Sequence, residues 1–266
     1  MVEKIRILAL GDIVSKQGRS FVAAKLKEIR ENKQVDFVIA NSENASSGNG
    51  ITPAIAHELF ESGVDFITLG DHVWRHKEVR NFLDNEASRC IRPANFPVGV
   101  PGRGWSKVEI KGVNVGVINL IGRVFFNTAL DCPFQAVDRI IKENLNDCQI
   151  IICDFHAEAT AEKIALAIYL KDRASFVFGT HTHVQTADEK IIDKTAYITD
   201  LGMCGPAEGV IGMDYEASIT RIRMGLPSAY KAAKGKVQIN GAVVEINART
   251  GQALKIERIQ IESKDI

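Results

Sequence analysis

The feature that most constrains this chain is a recurring unit. An apolar, β-branched run of strand length stops abruptly in small or polar residues, and a segment with helical periodicity usually follows. The runs are IRILALGD (5–12), VDFVIANSE (35–43), VDFITLGD (64–71), VNVGVINLIG (113–122), CQIIICDFH (148–156), ASFVFGTHTH (174–183) and AYITDLG (196–202). Helical segments between many of them are RSFVAAKLKEIRE, TPAIAHELFESG, HKEVRNFLDN, FQAVDRIIKENL and EATAEKIALAIYLKD, with Thr52 and Pro53 placed to cap and open the second. Alternation of this kind predicts an α/β fold, a sheet covered by helices. The last third, KVQINGAVVEINARTGQALKIERIQIE, instead predicts antiparallel strands with turns at Asn240–Gly241 and Thr250–Gly251. These strands are expected to extend the same domain, with a second sheet as one outcome.

At 266 residues and 45% hydrophobic content the chain can bury a substantial core, and a single domain over residues 1–266 is expected. Lys plus Arg (33) balances Asp plus Glu (33), so the net charge of +0 predicts no duplex nucleic acid and no membrane surface as partner. The opening MVEKIRILALGDIV is too short in apolar residues to span a bilayer, and Gly11 and Asp12 cut it off before any signal-peptide pattern develops. A soluble, cytoplasmic protein is expected. The five cysteines (Cys90, Cys132, Cys148, Cys153, Cys204) are odd in number and scattered, which predicts reduced thiols. The Pro- and Gly-rich RPANFPVGVPGRGW (92–105) reads as a surface loop long enough to serve as a lid or subunit contact.

Side chains able to bind metal or move protons fall just after the strand runs: Asp12, Glu43 and Asn44, Asp71 and His72, His156, then His181 and His183. In open α/β sheets the carboxyl ends of strands form the crevice where ligands bind. Each residue alone has a bland reading as a turn, cap or structural group; together, at equivalent strand ends, they point to a site. His57, inside a helical pattern, and His76, near a helix start, are expected to have structural or surface roles. No P-loop, dinucleotide fingerprint or nucleophile elbow is present. Carboxylate, amide and imidazole donors without cysteine suit manganese, iron or zinc. Seven of them (Asp12, Glu43, Asn44, Asp71, His156, His181, His183) exceed what one catalytic ion needs and suit two. Two ions roughly 3.5–4 Å apart stabilise the oxygens of an in-line displacement at phosphorus, so a phosphoester is the expected substrate class.

The ordered series GDIV, NSENA, GDHVW, RPANFP, DFHAEAT and GTHTHVQTAD resembles the YmdB family of bacterial metallophosphoesterases over nearly the whole chain. The wider superfamily opens with D-x-H, whereas here Val14 stands two residues after Asp12. The resemblance implies a four-layer α/β/β/α sandwich of the calcineurin-like metallophosphoesterase type. It implies two divalent or mixed-valence metal ions, iron or manganese foremost and zinc as an alternative, and hydrolysis of small phosphodiesters including 2′,3′-cyclic nucleotides. By motif, Asp12, Glu43, Asn44 and His183 would surround one ion and Glu43, Asp71, His156 and His181 the other, with Glu43 bridging. His72 would be the catalytic residue, giving a proton to the leaving oxygen or contacting phosphate. A homo-oligomer is also implied. The family usually has Asn where this chain has Asp71, a third carboxylate that should tighten metal binding but weaken Lewis acidity. That departure keeps a second reading open, a regulatory nucleotide- or metal-binding protein with weak turnover. A phosphoprotein phosphatase is a further reading of the same chemistry.

Overall fold

The computed structural model describes residues 3–85, 89–227 and 229–264. Its first half runs β1 (Lys4–Leu10), β2 (Asp12–Ile13), α1 (Ser15–Lys33), β3 (Phe37–Asn41), α2 (Pro53–Glu61), β4 (Phe66–Thr68), α3 (Glu78–Asp84) and β5 (Cys90–Ile91). A second run follows with β6 (Trp105–Ile110), β7 (Val113–Ile121), α4 (Pro133–Asn144), β8 (Ile150–His156), α5 (Thr160–Leu170), β9 (Phe176–Thr180), β10 (Lys190–Ile192) and β11 (Thr195–Ile198). The chain then returns to the first sheet with β12 (Met203–Pro206), α6 (Tyr215–Met224), β13 (Val237–Asn247) and β14 (Ala253–Glu262).

One sheet has the order β2-β12-β13-β1-β3-β4-β5, with β14 on the far side of β13; the other has the order β10-β11-β9-β8-β7-β6. Strand period explains why they stack. In β1, Ile5, Ile7 and Ala9 face inward and pack with Val115 and Val117 of β7, Ile150 and Ile152 of β8, and Phe176 and Phe178 of β9. Leu8 and Leu10 face the other way, against Val22, Leu26 and Ile29 of α1. Ile151, Cys153 and Phe155 of β8 likewise meet Leu166 and Leu170 of α5. The central strands are buried on both faces, so their sequences are unbroken apolar runs rather than alternations. Each buried Val, Leu, Ile or Phe side chain among them contributes about 1.5–3 kcal/mol by leaving water. The result is the expected four layers, helix, sheet, sheet, helix.

Thr52 accepts a hydrogen bond from the Ile55 N–H and Pro53 opens α2, as the pattern predicts. His57 packs edge-on to Phe60 and Phe82, and the His76 ring lies 3.1 Å from the Asn49 carbonyl. The turn expected at Asn240–Gly241 is not there. Both residues lie inside β13, where Gly241 pairs with Leu10 on one side and Ile259 on the other. A Cβ at Gly241 would come within 2.4 Å of the Ala9 carbonyl oxygen, so the glycine serves strand packing, and two flanking strands override the local turn preference. Thr250–Gly251 does form a turn, with the Gly251 N–H on the Asn247 carbonyl at 2.9 Å. The two strands it joins extend the first sheet, β13 antiparallel to β1. In the 92–105 loop, the Arg92 guanidinium donates to the carbonyls of Pro93, Val100, Pro101 and Gly102, wrapping the loop around one buried cation.

Candidate metal centre

The two sheets are joined at the carboxyl ends of β3 and β8. Asn41, the last residue of β3, donates to Asp154 of β8 at 3.0 Å, and Thr180, ending β9, donates to the other oxygen of Asp154 at 2.8 Å. From this buried seam the chain delivers its candidates. The Glu43 N–H bonds to the Asn41 side chain at 3.1 Å, which turns Glu43 inward where it is wholly buried. Gly70 then gives the space: a Cβ there would lie 2.4 Å from both Glu43 Oε2 and His156 Nε2. Asp71 and His72 follow it. Beyond β9, His181 (φ 97°) and His183 (φ 64°) both adopt left-handed backbone, which swings the two rings to the same crevice.

Glu43, Asp71, His156 and His181 each offer one ligand atom, and these atoms all lie within 4.8 Å of one another. His156 Nε2 stands 3.1 Å from Asp71 Oδ1, 3.3 Å from Glu43 Oε1 and 3.0 Å from His181 Nδ1. Asp12, Asn44 and His183 adjoin this group on the far side of Glu43. Asn44 Nδ2 reaches Glu43 Oε1 at 2.9 Å and His183 Nε2 at 3.2 Å, while His183 Nε2 is 3.7 Å from Asp12 Oδ1. His72 sits across both groups, its Nδ1 3.0 Å from Asn44 Oδ1 and its Nε2 3.5 Å from Asp71 Oδ2. All the sequence candidates therefore meet at one end of the sandwich.

The sequence profile of the YmdB-like protein family matches residues 8–259. The chain belongs to the YmdB-like family. It is 47% identical over 258 residues to the 2′,3′-cyclic-nucleotide 2′-phosphodiesterase of Bacillus subtilis (strain 168), an alignment covering 97% of each protein. It is 34% identical over 275 residues to a putative phosphatase/phosphodiesterase of Mycoplasma pneumoniae, covering 100% of this chain and 96% of that one. Among solved structures, a novel phosphatase from Mycoplasma pneumoniae superposes with a TM-score of 0.93 at 34% identity, covering 100% of this chain and 96% of that chain. A putative 5′-nucleotidase from Staphylococcus aureus, at 13% identity and a TM-score of 0.61, covers 96% of this chain and 54% of its own, and is alike in fold alone. The fold is the metallophosphoesterase type that the sequence predicts.

In this YmdB-like chain the residues present fit a bound cation. Asp12 Oδ1 is fully buried and has no hydrogen-bond partner, which is costly unless a cation or proton meets it. Each histidine has its outer nitrogen engaged: His156 Nδ1 with Thr180 Oγ1 at 2.9 Å, His181 Nε2 with Glu158 at 3.0 Å, and His183 Nδ1 with the Ile211 carbonyl at 3.1 Å. The inner nitrogens are left facing the carboxylates, which is how protein partners orient ligating imidazoles. Burial pushes the Asp12 carboxyl up to about 6. Burial acts the same way on Glu43, but His156 and His72 outweigh it and hold Glu43 well below the usual carboxylate range. His156 is driven well above its ordinary value against its burial, chiefly by Glu43 and Asp71. Burial and the charge on His156 push His181 down to about 3. Glu43 and Asp71 thus draw positive charge toward His156, and a cation at the centre of the cluster would answer the same demand. Burial lowers His72, but Glu43 and Asp71 prevail and raise it.

Several contributors escape the sequence reading. Glu158 follows His156 by two residues in DFHAEAT, and that period-two spacing is the signal that marks it. Phe126, whose ring centroid is 5.0 Å from that of His181 and 6.4 Å from that of His156, carries no such signal. The Asn41, Asp154 and Thr180 seam is written in separate strands and becomes visible only when they pair.

Proposed function

We propose that this protein is a metal-dependent phosphodiesterase with a dinuclear site that hydrolyses small phosphodiesters, 2′,3′-cyclic nucleotides foremost. The observation that carries this is the junction at Glu43, where ligand atoms from both sheets converge, in a chain 47% identical to a 2′,3′-cyclic-nucleotide 2′-phosphodiesterase. Glu43, Asp71, His156 and His181 would hold one ion; Asp12, Glu43, Asn44 and His183 the other. Oxygen and nitrogen donors fit iron or manganese, and zinc as well. When bound, divalent ions supply Lewis acidity toward phosphoryl oxygens and a nucleophile at neutral pH.

The chain's own residues do the rest. His72, 26% exposed and held between Asn44 and Asp71, holds a proton and delivers it to the departing ribose oxygen, a poor leaving group without it. Glu158 and Thr180 fix the rings of His181 and His156. None of the five cysteines is in a disulfide, and no helix among the described residues is long and apolar enough to cross a membrane; we assign the enzyme to the cytoplasm. We assign the protein as a homo-oligomer, a state that sedimentation velocity reads directly.

The test is hydrolysis by metal-loaded protein of 2′,3′-cyclic AMP, 3′,5′-cyclic AMP and a phosphoprotein in competition. Preferential turnover of the 2′,3′-cyclic diester is expected, and no metal-dependent turnover of any ester contradicts the proposal. Asp71 favours a second reading, a regulatory site: tight nucleotide binding with negligible hydrolysis would support it. Preference for the phosphoprotein would make the enzyme a protein phosphatase.

A further inference from the structure

Behind the segment His181, Thr182 and His183 lies a buried ion pair to which the reaction itself assigns no task. Lys163 of α5 and Asp200, which follows β11, are 1% and 0% exposed, with Nζ 2.7 Å from Oδ2. A buried pair of this kind adds little net stability over apolar packing, so its role lies in what it holds. The same Oδ2 accepts from Thr182 twice, from its hydroxyl at 2.7 Å and from its N–H at 3.2 Å. Oδ1 accepts from the Gly202 N–H at 2.8 Å, and the Gly202 carbonyl in turn accepts from the Asp12 N–H at 3.1 Å.

Thr182 is the residue between His181 and His183, both of which occupy left-handed backbone. Two such non-glycine residues flanking one position are strained and persist only where the surroundings over-determine them. Asp200 supplies that determination through its two hydrogen bonds from Thr182, and Lys163 anchors the carboxylate from the other side at 2.7 Å. We propose that Asp200, with Lys163, positions both ion-binding histidines through Thr182, so that one hydroxyl sets the geometry of both halves of the centre. This rests on the metal-binding reading proposed above. Asp200 and Lys163 are positioning residues.

The test is a Mn²⁺ titration of metal-stripped full-length protein, following free ion by electron paramagnetic resonance, for wild type, Thr182→Val and Thr182→Ser. Thr182 is only partly buried, so Thr182→Val is expected to fold; Thr182→Ala carries the same comparison if it does not. Losing an outer partner of this kind weakens metal binding by about 10- to 100-fold. That loss is expected in Thr182→Val for the ions at both positions, with an altered bound-manganese spectrum, while Thr182→Ser binds as wild type does. Wild-type affinity in Thr182→Val overturns the proposal, as does equal weakening in Thr182→Ser, which would assign the effect to the methyl group. A purely structural role would lower thermal stability and leave both the affinity and the spectrum unmoved. If wild type itself takes up no manganese, the metal-binding reading fails instead.

Discussion

Glu43 Oε1, delivered by the first sheet, lies 3.3 Å from His156 Nε2, delivered by the second, and both side chains are wholly buried. The contact spans the seam between the sheets, and Asn44 ties the same oxygen to the His183 side of the site. Glu43→Gln keeps the shape and removes the charge that both halves share. It is expected to cost more metal affinity than the about 10- to 100-fold typical of an outer partner. Isothermal titration with Mn²⁺ should show both binding events weakened; loss of one event alone would mean that Glu43 does not bridge.

Asp71→Asn removes the third carboxylate while keeping an oxygen near His156 Nε2, now 3.1 Å from Asp71 Oδ1. Three negative charges from Asp12, Glu43 and Asp71 then become two. Metal content measured by elemental analysis should stay at the wild-type value, with turnover retained. Disappearance of the second ion would show that Asp71 is more than an exchangeable ligand.

His72→Ala is expected to retain metal and to lose about 10²- to 10⁴-fold in kcat on 2′,3′-cyclic AMP, the usual worth of a placed acid. A p-nitrophenyl diester, whose leaving group needs no proton, should suffer far less. Equal losses on both substrates would put His72 in phosphate binding, and loss of metal would put it in ligation.

Lys163→Met leaves the Asp200 carboxylate buried without its partner. Breaking a buried pair this way costs about 3–5 kcal/mol. Urea denaturation should show a midpoint well below wild type, and an unchanged midpoint would mean that water or another cation already serves Asp200.

What could be read from the chain, and what could not, divides along physical lines. The central strands announce themselves because burial on both faces demands runs such as IRILAL and CQIII, and their polar ends mark where the site lies. The seven candidate ligands and His72 are legible for that reason. Strands of two to four residues, such as β2, β5 and β12, have no run to recognise. Helix α6 was hidden because it buries only Ser218 and leaves Ile219 and Ile222 exposed, so it lacks an inward stripe. Asn240–Gly241 misleads because a local turn signal is overruled by pairing with β1 and β14, contacts that the local sequence cannot display. The Lys163–Asp200 pair and the Asn41–Asp154 bond join positions 37 and 113 residues apart, and only the folded sheets bring them together.

The most direct measurement strips the protein of metal, returns Mn²⁺ in steps, and follows 2′,3′-cyclic AMP hydrolysis beside the number of ions bound per chain. Two ions per chain, with no turnover in the stripped protein and recovery as the sites fill, is the result predicted here. Hydrolysis that survives complete metal removal, or saturation at one ion, would contradict it.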